Sequence, residues 1–177
     1  MLNLTGMSHL QQLNRKIINE QALLAEINAL KAAGKKIAFT NGCFDILHKG
    51  HVTYLSLAAD LADVLVLGLN SDDSVRRQGK GDDRPVNGFD ARSTVVAGLG
   101  FIDFVIEFDG DTPIDIIRLI KPDVLVKGGD YDPKETNENS KKYIVGRDVV
   151  LGNGGRVETI DLVDGFSTTG IIQKLKK

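Results

Sequence analysis

The side chains best suited to chemistry are two histidines, His48 and His51, which lie three residues apart after a short apolar stretch. Residues three apart lie on the same face of a helix. A helix that begins near Gly50 would also present free backbone N–H groups and the positive end of its dipole, both of which favour phosphate. Two imidazoles at that point could donate hydrogen bonds to negative charge that develops on a phosphate. The spacing therefore predicts phosphate chemistry at a helix start.

Two histidines at this spacing can also arise without phosphate chemistry. They could be unrelated surface residues or metal ligands, but the chain offers only one further histidine, His9, and one cysteine, Cys43. Asn41 and Gly42 could form a hairpin turn, but no second strand follows them. The order of a buried strand, a glycine turn, two histidines and a helix start favours a functional site.

Three further groups of residues could bind phosphate. Lys127 ends an apolar run and precedes two glycines, so its ammonium group could reach a phosphate oxygen. Hydroxyl groups open the last predicted helix, where helix capping accounts for them equally well: Ser167, Thr168 and Thr169. One polar loop carries four basic residues, for which solvated surface charge is the alternative: Arg76, Arg77, Lys80 and Arg84.

Apolar periodicity predicts the elements that position these residues. Strands are predicted at 36–40, 64–69, 104–108, 123–126 and 156–160. Helices are predicted over 8–33, 50–61, 89–99, 112–120, 143–151 and 167–175. Asn19 could cap a second helix within the first of these, and Thr112 could cap the helix that has Pro113 at its first position. Long polar loops are predicted at 70–88 and 128–140.

Strands that alternate with helices predict an α/β fold, a Rossmann-like, doubly wound, five-stranded parallel sheet with helices on both faces. Residues 1–34 are predicted to form an N-terminal helical extension and residues 35–177 a single domain. Ligands bind such sheets beyond the carboxyl ends of the strands. Both long loops follow strands, so both are expected at that edge.

Composition limits the classes of function. The 177 residues include 22 basic and 24 acidic side chains, a formal charge of −2, which argues against a protein that coats nucleic acid. No apolar run approaches the roughly 18 residues that span a bilayer, and the polar N-terminus lacks the apolar core of a signal peptide. With a single cysteine, these features predict a cytoplasmic protein.

The motifs resemble those of the cytidylyltransferase-like nucleotidyltransferases, whose signature is a His-x-Gly-His element after the first strand, here His48-Lys49-Gly50-His51. The Ser-Thr-Thr turn at 167–169 resembles a second element of that family. The run 126–131, with the stretches 70–72 and 81–87, resembles one subgroup, the D-glycero-β-D-manno-heptose-1-phosphate adenylyltransferases. About 35 residues precede the first strand, which is too few for the sugar kinase domain found in many relatives and predicts the stand-alone form.

The resemblance implies that residues 35–177 are a nucleotidyltransferase domain that transfers AMP from ATP to a sugar 1-phosphate. The reaction would give ADP-heptose and pyrophosphate for lipopolysaccharide or surface-glycan precursors. The implied cofactor is Mg²⁺ bound through the substrate phosphates, with no metal ligands assigned to the protein. The implied partners are ATP and the sugar 1-phosphate, without nucleic acid or membrane, and a homo-oligomer is left open.

The resemblance also assigns roles to residues. The catalytic set is His48, His51 and Lys127. The nucleotide-binding set is Thr40, Asn41, Gly42, Cys43, Phe44, Gly50, His51, Arg92, Lys127, Gly128, Asp130, Tyr131, Phe166, Ser167, Thr168 and Thr169. The sugar-phosphate set is Asp45, Asn70, Asp72, Arg76, Lys80 and Arg84, although solvent-facing turn roles suit Asp45, Asn70 and Asp72 equally well. Cys43 is interpreted as packing in the turn and not as a nucleophile.

Two rival functions remain at this point. Glycerol-phosphate cytidylyltransferases carry lysine where this chain has Gly170 and arginine near the position of Leu162, so the absence of both cations favours adenylyl transfer. A nucleotide-binding regulatory module without turnover would be expected to have lost one histidine of the signature, and both are present.

Overall fold

A sheet of five parallel strands forms the centre of the protein in a computed structural model that describes residues 6–79, 81 and 83–175. The strands are β1 (Ile37–Gly42), β2 (Val64–Asn70), β3 (Phe104–Phe108), β4 (Val124–Gly128) and β5 (Arg156–Ile160). Their order across the sheet is β3-β2-β1-β4-β5, and each neighbouring pair is parallel. The predicted fold class is confirmed.

Helices cover both faces of this sheet. Within the described residues they are α1 (His9–Lys16), α2 (Glu20–Ala32), α3 (Lys49–Ala59), α4 (Asp72–Arg77), α5 (Phe89–Ala97), α6 (Ile114–Ile120), α7 (Arg147–Gly152) and α8 (Thr168–Leu175). None of these described helices combines the length and the apolar character needed to cross a bilayer.

Two apolar cores, one on each face, follow from the alternation of side chains along the strands. Val64 and Val66 of β2 pack into a core that α2, α6 and α7 close. Leu65 and Leu67 point the other way, into a core that α3 and α5 close. Every residue of β2 is buried, as expected for a parallel strand covered on both sides.

The N-terminal helices pack onto this sheet. Asn19 caps α2 as predicted, since its side chain accepts a hydrogen bond of 2.9 Å from the backbone N–H of Ala22. Between α1 and α2, the N–H of Ile18 donates to the carbonyl of Val105 at 2.9 Å, so this junction pairs with the edge strand β3. Leu23 of α2 is fully buried in the core. A domain boundary between residues 34 and 35 stays a prediction.

Three local predictions were wrong. The polar stretch after β2 contains α4, a six-residue helix whose N-cap, Ser71, accepts from the N–H of Ser74 at 3.0 Å. The helix predicted from residue 143 begins only at Arg147, because Gly146 adopts a left-handed φ of 87° that a continuous helix cannot contain. At α6 the N-cap is Pro113, without a side-chain capping bond, so Thr112 does not cap that helix.

A buried guanidinium on α5 holds the carboxyl edge of the sheet together. Arg92 is 1% exposed. Its Nη1 donates to the carbonyl of Cys43, just beyond β1, and its Nη2 donates to the carbonyl of Asn70, at the end of β2, both at 2.8 Å. Nη2 also pairs with Asp72 at 2.7 Å, and Nε donates to the carbonyl of Asn87 at 2.9 Å. One side chain therefore fixes two strand ends, the start of α4 and the loop before α5.

Replacement of Arg92 by lysine should destabilise the fold although it keeps the charge. One ammonium group cannot reach all four acceptors, and each buried acceptor left without a donor costs about 1–3 kcal/mol, so we expect a loss of at least about 2 kcal/mol in the free energy of unfolding. Urea denaturation would measure it. The matched control is Arg76→Lys, because Arg76 is exposed and its ion-pair partner Asp73 is exposed as well. Equal unfolding midpoints for the two variants would contradict the role given to Arg92.

Candidate active site

A cleft of about 800 Å³ opens beyond the carboxyl ends of β1 and β4. These two strands lie at the point where the strand order reverses, which is where doubly wound sheets bind ligands. The structure brings most of the predicted site residues together here. Those that line the cleft are Asn41, Gly42, Cys43, Phe44, His48, Gly50, His51, Asn70, Lys127, Gly128, Asp130, Tyr131, Phe166, Ser167 and Thr168.

The turn between β1 and α3 has a shape that places the histidines. Phe44 adopts a φ of 44°, a left-handed conformation that is rare for an aromatic residue. Its ring packs so closely over Gly42 that a Cβ there would lie 2.8 Å from the ring. The same ring meets His51 edge-on, with centroids 5.1 Å apart. The strained turn therefore supplies one wall against which His51 rests.

The two histidine rings stack on each other at the first turn of α3, with centroids 3.8 Å apart. His48 is the N-cap residue, and its Nδ1 accepts a hydrogen bond of 3.3 Å from the backbone N–H of His51. Burial lowers the pKa of His48. Because Nδ1 is an acceptor, the neutral ring of His48 carries its proton on Nε2, which is left to donate.

His51 is held neutral. Burial, followed by the proximity of His48, lowers the pKa of His51 to about 4, with Arg84 acting in the same direction and a hydrogen bond to the backbone of Ile46 opposing the shift. Its Nδ1 is buried, and no described residue offers it a hydrogen-bond partner.

Lys127, near the end of β4, lines the same cleft. It is 8% exposed, and its Nζ donates to Oδ1 of Asn41, the residue on β1 that faces it. The ammonium also lies 5.6 Å from the centroid of the Tyr131 ring. Burial lowers the pKa of Lys127 to about 8, and the carboxylate of Asp130 opposes that shift. The amine is therefore poised to bind an anion in a poorly solvated place.

Beside α3 and α8 the cleft has an apolar character. Phe166 is 44% exposed, and its ring centroid lies 6.3 Å from that of His48. Leu162 and Val163 line the same side. Ser167 Oγ accepts from the N–H of Gly170 at 3.0 Å, so the predicted helix-opening hydroxyl contact is present. This side offers an aromatic and aliphatic slot next to two helix starts.

Asp45 and Arg84 form a buried ion pair with side chains 0% and 6% exposed, respectively. Nε of Arg84 donates to Asp45 at 2.5 Å, and the backbone N–H groups of Val86 and Asn87 donate to the same carboxylate at 2.9 and 2.8 Å. The two residues therefore hold the loop before α5 against the histidine turn. Neither lines the cleft, although both were predicted to contact the sugar phosphate.

The other predicted contacts lie away from the cleft. Arg92 directs its donors to the protein, as described above, and the fully buried Thr40 shares a hydrogen bond of 2.7 Å with the hydroxyl of Tyr54. Asp72 and Arg76 line a separate cavity of about 690 Å³ whose walls are mainly carboxylates and so unsuited to phosphate. Thr169 is outside the cleft lining, and Lys80 lies outside the described residues.

Sequence reasoning missed several cleft residues: Tyr54, Gln78, Asp111, Thr112, Lys141 and Tyr143. The rule that ligands bind at carboxyl ends of parallel strands could have identified Asp111 and Thr112, since both follow β3 closely. Lys141 and Tyr143 follow the loop at 128–140 that was predicted to reach this edge, and no motif marked them.

Comparison with known proteins places the chain among close relatives. The "Bifunctional protein HldE" of Pelobacter propionicus is 48% identical over 174 residues, covering 98% of this chain and 34% of that protein. The protein of the same name from Campylobacter concisus is 56% identical over 142 residues, covering 80% of this chain and 27% of that protein. The chain thus spans about a third of the length of these relatives.

Solved structures agree on the fold. The lipopolysaccharide core biosynthesis protein from Thermoplasma volcanium superposes with a TM-score of 0.55 at 25% identity, over 73% of this chain and 98% of that one. Pantoate-beta-alanine ligase from Francisella tularensis, solved with an ATP analogue and β-alanine, gives a TM-score of 0.57 over 90% of this chain and 76% of that one. At 13% identity, the second likeness concerns the fold alone.

The family model described as "Cytidylyltransferase-like" matches residues 39–174. That range includes the histidine turn, Lys127 and the start of α8, the parts from which the cleft is built. The chain belongs to the cytidylyltransferase-like family.

Proposed function

We propose that this protein transfers AMP from ATP to D-glycero-β-D-manno-heptose 1-phosphate, giving ADP-heptose and pyrophosphate for the synthesis of lipopolysaccharide or a related surface glycan. The observation that carries the proposal is the stacked pair of neutral histidines at the start of α3, in a cleft that Lys127 also lines. The resemblance of the motifs at 126–131 and 81–87 to heptose-1-phosphate adenylyltransferases supports the choice of acceptor.

The reaction needs no covalent intermediate with the protein. A phosphate oxygen of the sugar 1-phosphate attacks the α-phosphorus of ATP, the new P–O bond forms as the bond to the β-phosphate oxygen breaks, and that electron pair leaves with pyrophosphate. Catalysis of this kind is positioning together with stabilisation of charge. His48 through Nε2–H, His51, and the free N–H groups at the start of α3 are the donors that would meet the charge on the α-phosphate.

Lys127 would bind the phosphates from the end of β4. Its depressed pKa of about 8 reflects a desolvated amine, and the arrival of polyphosphate favours its charged form. The adenine would lie in the apolar slot of Leu162, Val163 and Phe166, where an aromatic ring offers stacking. Backbone groups at 128–131 and 165–167 lie beside this slot and could read the base edge.

Mg²⁺ is proposed as the cofactor. The described residues contain no group of three or more His, Cys, Asp or Glu side chains placed to hold a metal ion. Mg²⁺ commonly binds through substrate phosphates and water with one or two carboxylates. Asp130 lines the cleft near Lys127 and could supply such a ligand. The ion would neutralise phosphate charge there.

The proposal implies small, charged, freely diffusing substrates. A cytoplasmic location is therefore proposed, where ATP and sugar phosphates are available. The near-balanced net charge of −2 supports the absence of nucleic-acid binding. A homo-oligomer remains compatible with the proposal.

Pyrophosphate release with heptose 1-phosphate should be at least about 100-fold faster with ATP than with CTP at equal concentration, because a site that hydrogen-bonds one base leaves polar groups unpaired with another. A coupled pyrophosphate assay measures both rates, and glycerol 3-phosphate replaces the sugar phosphate as the acceptor control. Equal or faster rates with CTP would overturn the adenylyltransferase assignment. Absence of pyrophosphate with every nucleotide would favour a regulatory module.

His48→Ala and His51→Ala should each lower kcat by roughly 100–1,000-fold, the usual cost of one preorganised donor. The dissociation constant for ATP should change far less, since the donors act on charge that develops during reaction. Rapid-quench turnover and equilibrium binding separate the two effects. His9→Ala is the matched control, because His9 is exposed on α1. Near-normal turnover in either active-site variant would remove that histidine from the mechanism.

The affinity for ATP should fall as pH rises above about 8. The phosphates favour the ammonium form of Lys127, whose pKa in the free protein is about 8. Below that pH the amine is already charged, so affinity is flat. Above it, binding must take up a proton and weakens by up to about tenfold per pH unit. Calorimetric titrations from neutral pH to about pH 9 would measure this dependence.

The control variants for the pH experiment are Lys127→Arg and Lys127→Met. Arginine stays charged over this range, so its profile should be flat, with affinity retained only as far as its geometry fits. Methionine should bind weakly at every pH. An identical decline above pH 8 in the wild type and in Lys127→Met would show that another group titrates.

A further inference from the structure

The residues that line the cleft form two groups of different chemistry. Leu162, Val163 and Phe166, which precede α8, are apolar. The second group carries amide, carboxylate, hydroxyl and ammonium functions: Gln78, Asp111 and Thr112 follow β2 and β3, and Lys141 and Tyr143 follow β4. We infer that this second group, here termed the acceptor wing, binds the sugar 1-phosphate, with Lys141 as its phosphate ligand. The inference rests on the proposed function.

Gln78 connects the acceptor wing to the histidine turn. It is the C-cap residue of α4, and its Oε1 accepts a hydrogen bond of 3.2 Å from Sγ of Cys43, next to the end of β1. With its oxygen directed at the turn, the amide presents Nε2–H groups as donors. A sugar hydroxyl that accepts from Gln78 would lie close to the turn that carries His51.

Asp111 and Thr112 supply further polar groups just after β3. Arg77 on α4 donates through Nε to Oδ1 of Asp111 at 2.8 Å, so the position of this carboxylate is defined. A carboxylate has about four lone-pair sites, and one such bond leaves capacity to accept from sugar hydroxyls. Hydroxyl-rich ligands need groups of this kind, whereas a flat base needs apolar surface such as that of Leu162, Val163 and Phe166.

Lys141 provides the charge. Lys127 and Lys141 are the lysines among the described residues that line the cleft, and no described arginine lines it. The neighbouring arginines on this side are already paired, Arg77 with Asp111 and Arg84 with Asp45. Lys141 forms no salt bridge with any described residue. Its ammonium is therefore available for a second phosphate group when Lys127 serves the nucleotide.

The loop that carries Lys141 is anchored to the fold. The N–H of Asp132 donates to the carbonyl of Lys142 at 3.0 Å, and Nε of Arg147 donates to the carbonyl of Pro133 at 2.9 Å. Ile144 is fully buried in the core beneath. The side chain of Lys141 thus projects into the cleft from a defined backbone.

The test measures binding of each substrate separately. Heptose 1-phosphate is titrated calorimetrically into protein saturated with a non-hydrolysable ATP analogue, and the analogue is titrated alone. Loss of a hydrogen bond to a charged group predicts that Lys141→Met raises the dissociation constant for heptose 1-phosphate about 10–100-fold, with that for the analogue within about twofold of wild type. Phe166→Ala should show the opposite pattern.

Lys142→Met is the matched control, because Lys142 is the adjacent exposed lysine and does not line the cleft. The inference is overturned if Lys141→Met leaves heptose 1-phosphate binding unchanged, if it weakens both ligands equally, if Lys142→Met has the same effect, or if the wild type does not bind heptose 1-phosphate. Turnover is measured in parallel. Heptose 1-phosphate binding that depends on Lys141, without pyrophosphate release, would refute the proposed reaction and leave the acceptor wing standing.

Discussion

The buried guanidinium of Arg92 is the interaction on which the site depends. At the ends of β1 and β2, backbone carbonyls no longer have hydrogen-bond donors on a neighbouring strand. Buried carbonyls need a donor, so another group must supply one. Arg92 gives one N–H group to each strand end and two more to the elements that follow. The carboxylate of Asp45 has the complementary role, because it accepts three hydrogen bonds from the loop before α5. The edge of the sheet is therefore organised before any ligand arrives, which is the condition for electrostatic preorganisation.

The three basic side chains of the cleft are all desolvated. His48, His51 and Lys127 all have pKa values below their ordinary range, and desolvation is the largest cause for each. Two imidazoles stacked at 3.8 Å could not both be charged without strong repulsion, and burial removes that conflict by keeping His51 neutral. An incoming polyphosphate favours the charged form of Lys127, so above about pH 8 its binding is coupled to uptake of a proton.

The sequence predicted the strands that form continuous apolar runs. It did not predict hydrogen bonds between residues that are distant in the chain. β3 and β5 occupy the predicted residues, and β2 differs by one, because apolar runs of strand length are distinctive. α4 was not predicted because five of its six residues are polar and a single apolar residue, Val75, shows no period. Arg92 was assigned to a phosphate, yet its acceptors include a carbonyl 49 positions away. Residue type and motif spacing indicate that a charge lies at the active edge, but they do not determine whether its partner is a ligand or the protein.

The topology gives a physical reason why two substrates can meet at the histidine turn. The sheet divides at the boundary of β1 and β4. In the proposed reaction, the β4–β5 half and α8 supply the base slot and Lys127, while the elements that follow β2 and β3 supply Gln78 and Asp111. The segment after β4 contributes to both sites, since it carries Asp130 and Tyr131 as well as Lys141 and Tyr143. Changes at Gln78 and Asp111 would alter the choice of acceptor with little effect on the nucleotide slot, because these residues follow β2 and β3 and not β4.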